Sequence, residues 1–371
     1  MPNDTDRQQD RKLRNKSGML ISKQLAQGPF NGRRGMVASG RIVVAGAGTV
    51  GCFVGGMLAN AGRPVALLAR ARTIEEIERH GLGITSIDGL VCRISADRLR
   101  MSTDPRILAD ADVVLVTVKS ADTPAIAEEI ARYAPSDAII VSLQNGIGNA
   151  PVLRERLVGR RVLAGMVPFN VIALGEGRYH RATSGDIVIE ADQAETAARL
   201  SVDGLSIRAA DNMPGIQWGK LLLNLNNALN ALSGLPLREQ LSQRSWRRLL
   251  ADHMREALRV LKAEGIRPIG STALPPGLTP HILRLPDALF QILARQTMKI
   301  DAMARSSMWE DLQNRRRTEI DFLQGVIVAL AERHGIDVPL TRRIVDLIRA
   351  AEQSGNGSPG LSPDQVRGDA H

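Results

Sequence analysis

Residues 41–70 read RIVVAGAGTVGCFVGGMLANAGRPVALLAR, and this stretch decides the fold. It begins with a short apolar run at 42–45, passes through a glycine turn into a helical segment at 52–60, and ends with a second apolar run at 65–69. A strand, a G-x-G-x-x-G turn, a helix and a second strand are typical of a dinucleotide-binding domain. The residues of the turn are Gly46, Ala47, Gly48, Thr49, Val50 and Gly51.

Each glycine of this turn has a separate expected purpose. Gly46 permits the tight turn, Gly48 lets the backbone approach a pyrophosphate, and Gly51 allows the helix to pack closely on the strand. The helix N-terminus supplies free N–H groups and a positive dipole end for the phosphates. The alternative is a glycine-rich turn in an unrelated α/β protein, and the two flanking strands favour the dinucleotide site.

The end of the second strand predicts which dinucleotide binds. An NAD site usually has Asp or Glu there, on the ribose 2′-hydroxyl. This chain has Arg70, then Arg72, with no acidic residue before Glu75. Because a guanidinium group suits a 2′-phosphate, we expect the cofactor to be NADP(H). The alternative for Arg70 is an arginine in a solvated loop.

Length and charge limit the classes to which the chain can belong. Its 371 residues are enough for two domains, and no apolar run could span a bilayer. Residues 1–40 contain eight Lys and Arg against three Asp, so they carry much of the net charge of +9. We interpret this segment as a disordered basic leader, with Met36 as an alternative start of translation. The remainder indicates small anionic ligands, with no nucleic-acid or membrane partner.

The two cysteines and six histidines show no metal-ligand pattern. Cys52 and Cys92 lie in no C-x-x-C pair, and the histidines have no metal-binding spacing. We therefore expect no metal site. We interpret both cysteines as structural thiols of a cytoplasmic protein, because the cytoplasm keeps thiols reduced.

Two further predicted strands end in polar residues. The run at 111–118 is rich in Val and Leu, as in a parallel strand buried on both faces, and Lys119 follows it. The run at 138–143 leads to Asn145. Ligands of doubly wound sheets bind at the carboxyl ends of strands, so we expect both residues beside the glycine turn. Taken singly, they could be a solvated loop lysine and a turn asparagine.

A cluster of helix-breaking residues, DNMPG at 211–215, marks the expected domain boundary. We predict an NADP-binding α/β domain at 41–211 and an all-helical substrate and catalytic domain at 212–353. The final segment, 354–371, is rich in Gly, Ser, Pro and Asp, and we predict a disordered tail there.

The first helix predicted for the second domain, 215–232, is apolar except for a few polar side chains. Lys220, Asn224 and Asn227 fall on one face of it, at positions i, i+4 and i+7. Burying such groups without partners is costly. They therefore indicate either a hydrogen-bond network between domains or an acid and carboxylate-binding amides that face a nicotinamide.

A second polar group follows at 305–321. Ser306 and Ser307 can begin a helix, with Glu310 completing a capping box for Ser307. Glu319 precedes a long apolar helix, where it would stabilise the helix dipole. These are the structural alternatives to a role in a site.

Taken in order, these motifs resemble the ketopantoate reductase family (2-dehydropantoate 2-reductase) over about residues 41–351. No single motif is decisive, but seven in this order and at this spacing are highly specific. The motifs are GAGTVG at 46–51, Arg70, VTVKS at 116–120, LQNG at 143–146, WGKLLLN at 218–224, RSSMWEDL at 305–312 and RTEID at 317–321.

The resemblance implies a fold and an activity. The implied fold is an N-terminal α/β Rossmann-like domain and an all-α C-terminal domain of the 6-phosphogluconate-dehydrogenase-like kind, with the active site in the cleft. The implied reaction is the NADPH-dependent, metal-free reduction of 2-dehydropantoate to (R)-pantoate, on the route to pantothenate and coenzyme A. A homodimer is compatible with the sequence, which does not determine the oligomeric state.

The resemblance also implies roles by motif position. Lys220 matches the family's catalytic lysine, and Glu319 matches the glutamate that partners active-site groups. Asn224 and Ser307 match substrate-binding residues. Arg70 matches the arginine for the 2′-phosphate. The residues expected to bind the cofactor are Gly46, Ala47, Gly48, Thr49, Val50, Gly51, Arg70, Lys119 and Asn145.

One position departs from the family pattern. Well-studied members carry a second asparagine followed by proline, where this chain has Ala228 and Leu229. Asn227 is one residue earlier and still lies near the Lys220 face, so it is the expected replacement. The departure leaves the reaction type intact and the identity of the 2-oxo acid open.

Three functions are compatible with these observations. The first is the family reaction on 2-dehydropantoate, and the second is reduction of a different small 2-oxo acid. The third is a non-catalytic NADPH-binding sensor. The set Lys220, Asn224, Ser307 and Glu319 argues against the sensor, because sensing needs only the cofactor half.

Overall fold

The computed structural model describes residues 41–270, 275–297 and 304–368. The predicted leader at 1–40 lies outside the described residues. Strands occupy the first half of the described chain, and from Met213 onward all regular elements are helices. The predicted fold class, α/β followed by all-α, is therefore confirmed.

Twelve strands in the described part of the chain form two sheets. Eight of them form one sheet in the order β12-β11-β8-β7-β6-β1-β2-β5, and four form a smaller sheet in the order β4-β3-β10-β9. The strands are β1 (Ile42–Ala45), β2 (Val65–Leu68), β3 (Leu82–Ser86), β4 (Val91–Ile94), β5 (Arg100–Ser102), β6 (Val113–Val116), β7 (Ile139–Ser142), β8 (Val162–Met166), β9 (Val171–Gly175), β10 (Arg178–Arg181), β11 (Ile187–Glu190) and β12 (Ile207–Ala210).

The centre of the large sheet is parallel, as the Val-rich runs predict. β1, β6 and β7 are adjacent, parallel and fully buried, because helices cover both faces of such a sheet. Their last residues, Ala45, Val116 and Ser142, lie side by side in the register. The prediction that the glycine turn, Lys119 and Asn145 follow strands at one edge of the sheet is confirmed.

Fifteen α-helices lie in the described residues, besides short 3-10 turns. Five of them accompany the sheets, and the other ten follow the last strand. They are α1 (Thr49–Asn60), α2 (Ala71–His80), α3 (Thr123–Tyr133), α4 (Asn149–Arg156), α5 (Thr196–Leu200), α6 (Met213–Asn224), α7 (Asn226–Ser233), α8 (Leu237–Ser242), α9 (Arg244–Ala263), α10 (Thr279–Leu283), α11 (Asp287–Thr297), α12 (Ser307–Gln313), α13 (Ile320–Arg333), α14 (Pro339–Ser354) and α15 (Pro363–Arg367).

The prediction of one continuous helix at 215–232 is wrong. The segment is divided into α6 and α7 at Leu225. The fully buried side chain of Gln324 donates a hydrogen bond of 3.0 Å to the carbonyl oxygen of Leu225. Leu225 itself keeps a helical backbone and donates to the carbonyl oxygen of Leu221, so α7 follows α6 without a loop, and Gln324 of α13 contacts their junction.

The prediction of a disordered tail is also wrong for the described residues after Ser354. Ser358 and Leu361 bond to the carbonyl oxygens of Ala231 and Leu232 at the end of α7. Val366 is fully buried in the helical core. The Gly, Ser and Pro content signals an irregular backbone, but these long-range contacts nonetheless hold that backbone in one place.

Candidate active site

Lys220 lies on α6 and reaches the carboxyl edge of the sheet. Its Nζ donates a hydrogen bond of 2.6 Å to Asn145 Oδ1, in the loop after β7, and a second bond to the carbonyl oxygen of Val167, after β8. The side chain is therefore held from two strand ends. This position is where a doubly wound sheet presents reacting groups to a ligand.

Two opposing effects set the pKa of Lys220. Burial of the ammonium lowers it from 10.5 to about 8, and the negative charge of Glu319 partly offsets this by favouring the charged form. A lysine with a pKa near the operating pH is well suited to give up a proton during a reaction.

Glu319 is the residue that caps α13, yet its carboxylate makes no capping bond to that helix. Instead, Oε1 lies 3.5 Å from the backbone N and 3.3 Å from Oγ of Ser120. This geometry does not favour the structural alternative, in which Glu319 stabilises the start of its own helix. Ser120 was missed by the sequence analysis, although the VTVKS motif contains it.

Asn224 shares a small pocket with the lysine. Lys220, Asn145, Asn224 and Gly146 are among the residues that line it. Asn224 is half-buried, and in the described part of the chain its amide has no hydrogen-bond partner. A free amide one helical turn from an ammonium group can bind a carboxylate or hydroxyl group of a ligand.

Asn227 contacts the start of α12 through Ser306, the residue before Ser307. The buried Ser306 donates from Oγ to the carbonyl oxygen of Asn227 at 2.9 Å and accepts from the N–H of Trp309. Ser306 is therefore the helix cap, and the predicted Ser307–Glu310 capping box is wrong by one residue. Ser307 is exposed, and no hydrogen bond among the described residues joins it or Asn227 to Lys220.

The neighbouring amides on α7 have a structural role. Asn226 and Asn230 are buried and bond to Gln240, and Asn230 Oδ1 accepts from the N–H of Ser306 at 2.8 Å. These bonds satisfy polar groups inside the helical core and fix the start of α12 against α7.

Lys119 is paired with an acidic residue. Its Nζ donates to both carboxylate oxygens of Asp311 at 2.8 Å and to the carbonyl oxygen of Arg317 at 3.3 Å. Asp311 is nearly buried, so this is a firmer contact than a surface pair. The ion pair fastens the loop after β6 to α12.

The glycine turn fits a dinucleotide phosphate. Gly46 has φ +94°, and a Cβ there would overlap Val118, whereas a Cβ on Gly51 would come within 3.0 Å of Val44 on β1. Gly48 differs, because a Cβ there would meet nothing closer than a carbonyl oxygen at 3.9 Å. The protein's own packing does not require glycine at 48, but the close approach of a ligand would.

Arg70 lies two residues after the end of β2 and is the N-cap residue of α2. It is exposed, and within the described residues its guanidinium makes no hydrogen bond or ion pair. The group is therefore available to an external anion. The described residues contain no helix able to cross a membrane and no cluster of three His, Cys, Asp or Glu side chains suited to a metal ion.

Comparisons with known proteins identify the family of the chain. The model of the family described as Ketopantoate reductase PanE/ApbA matches residues 42–193, and the model of its C-terminal part matches residues 212–352. The 2-dehydropantoate 2-reductase of Halobacterium salinarum is 32% identical over 324 residues, which is 85% of this chain and 100% of that protein.

Solved structures show the same relationship. The PanE/ApbA family ketopantoate reductase from Ralstonia eutropha is 32% identical with a TM-score of 0.71, over 85% of this chain and 99% of that one. A D-mandelate dehydrogenase solved with NADH and anilino(oxo)acetate is 21% identical with a TM-score of 0.70, over 85% and 99%, and so shares the fold. The chain belongs to the ketopantoate reductase family.

Proposed function

We propose that this protein reduces 2-dehydropantoate to (R)-pantoate with NADPH, in the route to pantothenate and coenzyme A. The observation that carries the proposal is Lys220, held by Asn145 at the carboxyl edge of the sheet in one pocket with Asn224. The named activity of the Halobacterium salinarum relative supports the choice of substrate.

Cofactor binding and catalysis belong to different parts of the chain in this proposal. We assign the cofactor to residues 41–211 and the substrate and catalytic groups to 212–353. Gly48 and the first turn of α1 would hold the pyrophosphate, and Arg70 would hold the 2′-phosphate. Asn145 would lie beside the nicotinamide ribose, and Lys119 would keep that edge in place through Asp311.

The bound NADPH supplies a hydride for the carbonyl carbon of the 2-oxo acid. Negative charge then develops on the carbonyl oxygen. Lys220, as an ammonium group, stabilises that charge and donates the proton that completes the alcohol. An ammonium has three N–H groups, and Asn145 and Val167 accept from two of them. The third N–H is left to point at the substrate.

Glu319 keeps Lys220 in its charged form, because its negative charge opposes the effect of burial. Asn224, Asn227 and Ser307 would bind the carboxylate and hydroxyl groups of the substrate. Ala228 is fully buried in the helical core and offers no polar group, whereas Asn227 stays half-buried. Asn227 is thus the nearest amide that can serve in its place.

A second candidate is the reduction of a different small 2-oxo acid. Ala228, in place of the family's second asparagine, is the observation that favours it. The D-mandelate dehydrogenase of the same fold was solved with NADH and anilino(oxo)acetate, which contains a 2-oxo acid group.

The test is NADPH oxidation by the purified protein, measured by the loss of nicotinamide absorbance. The substrates are 2-dehydropantoate, pyruvate and branched 2-oxo acids. Turnover on 2-dehydropantoate alone would support the first proposal, and turnover only on another acid would support the second. NADPH binding without turnover would support the sensor. Replacing NADPH by NADH without loss of rate would contradict the cofactor assignment.

A further inference from the structure

Ser120 is a buried serine in the loop after β6, and its hydroxyl contacts only groups of the protein among the described residues. It is 2% exposed. Its Oγ lies 2.9 Å from the carbonyl oxygen of Asn145 and 3.3 Å from Glu319 Oε1, and it accepts from Asn149 Nδ2 at 3.2 Å. The hydroxyl therefore contacts both the loop that holds Lys220 and the carboxylate that acts on Lys220.

The carboxylate of Glu319 depends on this serine. In the described part of the chain, the hydrogen bonds to that carboxylate come from the backbone N–H of Ser120 at 3.5 Å and from its hydroxyl at 3.3 Å. The single hydroxyl proton is shared between Glu319 Oε1 and the carbonyl oxygen of Asn145, which lies at 2.9 Å. Glu319 lies in the segment before α13, far from Lys220 in the sequence, so tertiary contacts must determine the distance between the two side chains. Removal of the hydroxyl would leave the carboxylate with the longer backbone bond alone and hence with more freedom to move.

We infer that Ser120 is a positioning residue, which holds the Glu319 carboxylate where it acts on Lys220. The inference rests on the proposed roles of Lys220 and Glu319. Ser120 touches neither substrate nor cofactor in this scheme. It acts through Glu319 on the charge state of the lysine.

The other charged groups around Lys220 do not replace this contact. Lys119, in the same loop as Ser120, is paired with Asp311 of α12, which also pairs with Arg316. Asn145 and the Val167 carbonyl contribute only dipoles. Glu319 is the charged group that raises the pKa of Lys220 against the effect of burial. Displacement of the Glu319 carboxylate should therefore lower the pKa of Lys220 further.

The first experiment compares Ser120→Ala with Ser86→Ala. Ser86 is similarly buried, and its hydroxyl accepts from two backbone N–H groups of the β3–β4 turn, away from Lys220. We expect Ser120→Ala to lower kcat roughly 5–50-fold, the size of a lost bond to a charged group, with KM for the 2-oxo acid within about twofold. Ser86→Ala should leave both constants near wild type.

Two further readouts separate positioning from a merely structural effect. The alkaline loss of kcat should move to lower pH in Ser120→Ala and not in Ser86→Ala. In a Glu319→Gln background, adding Ser120→Ala should cost little more, because the carboxylate is already gone. If Ser120→Ala does not fold, Ser120→Cys keeps the volume with a weaker donor and takes its place.

A measurement without substrate distinguishes this inference from the proposed function. Acetic anhydride acylates Lys220 only in its unprotonated form. The pH dependence of this rate, followed by peptide mass spectrometry, therefore reports the pKa of Lys220. A lower titration point in Ser120→Ala supports the inference even if no 2-oxo acid is reduced. An unchanged titration point, or an undiminished Ser120→Ala effect in Glu319→Gln, overturns it.

Discussion

Lys220 Nζ donates a hydrogen bond of 2.6 Å to Asn145 Oδ1, although 75 residues separate them in the chain. This bond joins α6, which carries the ammonium group, to the loop after β7, beside which we propose that the cofactor binds. It also limits the directions in which the ammonium can point. The lysine thereby receives both its orientation and a partner that does not take its proton, because an amide oxygen is a far weaker base than an amine.

Lys220→Ala should abolish most of the activity. We expect kcat to fall by roughly 10²–10⁴, the usual size for a lost general acid, while NADPH binding survives. Steady-state kinetics and a cofactor titration measure the two effects. Lys262→Ala, a change of the same kind at an exposed lysine, is the control and should retain wild-type turnover. Near-normal kcat in Lys220→Ala would remove this residue from the mechanism.

The rate should fall as pH rises through about 8. In the proposed mechanism Lys220 acts as the ammonium, and its pKa of about 8 means that the proton is lost above that pH. Glu319→Gln removes the charge that raises this pKa, so the fall should begin at lower pH. A kcat profile from about pH 6 to about pH 10 brackets the midpoint of this fall and would show the shift. A profile that does not move in Glu319→Gln would contradict the electrostatic role.

Arg70→Ala should weaken NADPH selectively. A lost guanidinium–phosphate pair predicts a KM for NADPH higher by roughly 10–100-fold, with the KM for NADH little changed. The ratio of kcat/KM for the two cofactors is the measurement. Arg63→Ala, before β2 at the opposite end of the strand, should leave that ratio unchanged. An equal loss for both cofactors would argue against a 2′-phosphate contact.

His253 should make the protein sensitive to acid. It is fully buried on α9, neither ring nitrogen has a partner in the described residues, and burial lowers its pKa from 6.5 to about 3. The folded state keeps the ring neutral while the unfolded state takes up a proton below pH 6.5. Stability from this group is thus complete above that pH and is lost as pH falls toward 3, by about 2 kcal/mol at pH 5.

The corresponding test uses His253→Leu and urea unfolding at several pH values. The loss of unfolding free energy between pH 7 and pH 5 should be smaller by about 2 kcal/mol in this variant than in the wild type. His281→Leu makes the same change at an exposed position and should follow the wild-type pH dependence. The same dependence of unfolding free energy on pH in all three proteins would mean that folding does not lower the pKa of His253.

Two glycines inside helices should respond in opposite ways to alanine. A Cβ on Gly219 would overlap the carbonyl oxygen of Ile269, whereas a Cβ on Gly325 would meet nothing closer than 3.5 Å. Gly219→Ala should therefore lower the free energy of unfolding by roughly 1–3 kcal/mol. Gly325→Ala should raise it by up to about 1 kcal/mol through helix propensity. Thermal or urea unfolding measures both, and equal effects would contradict the close packing at Gly219.

The sequence alone was sufficient for the fold class and for the family. The glycine turn, the Val-rich parallel strands and the helical second half are local patterns, and local periodicity records which faces an element buries. Three strand ends could be placed at one edge for the same reason, because parallel strands share a direction. The ordered motifs then predicted the family that the comparisons confirm.

Only the tertiary structure decided the partners of each polar side chain. Nothing near Ser120 in the chain indicates Glu319, which lies 199 residues away. Gln324 bonds to the carbonyl oxygen of Leu225 across 99 residues of sequence, and the ordered tail depends on the end of α7. A residue's own neighbours in sequence set its backbone preference, but hydrogen bonds and buried charges are satisfied by whatever the fold brings within about 3 Å.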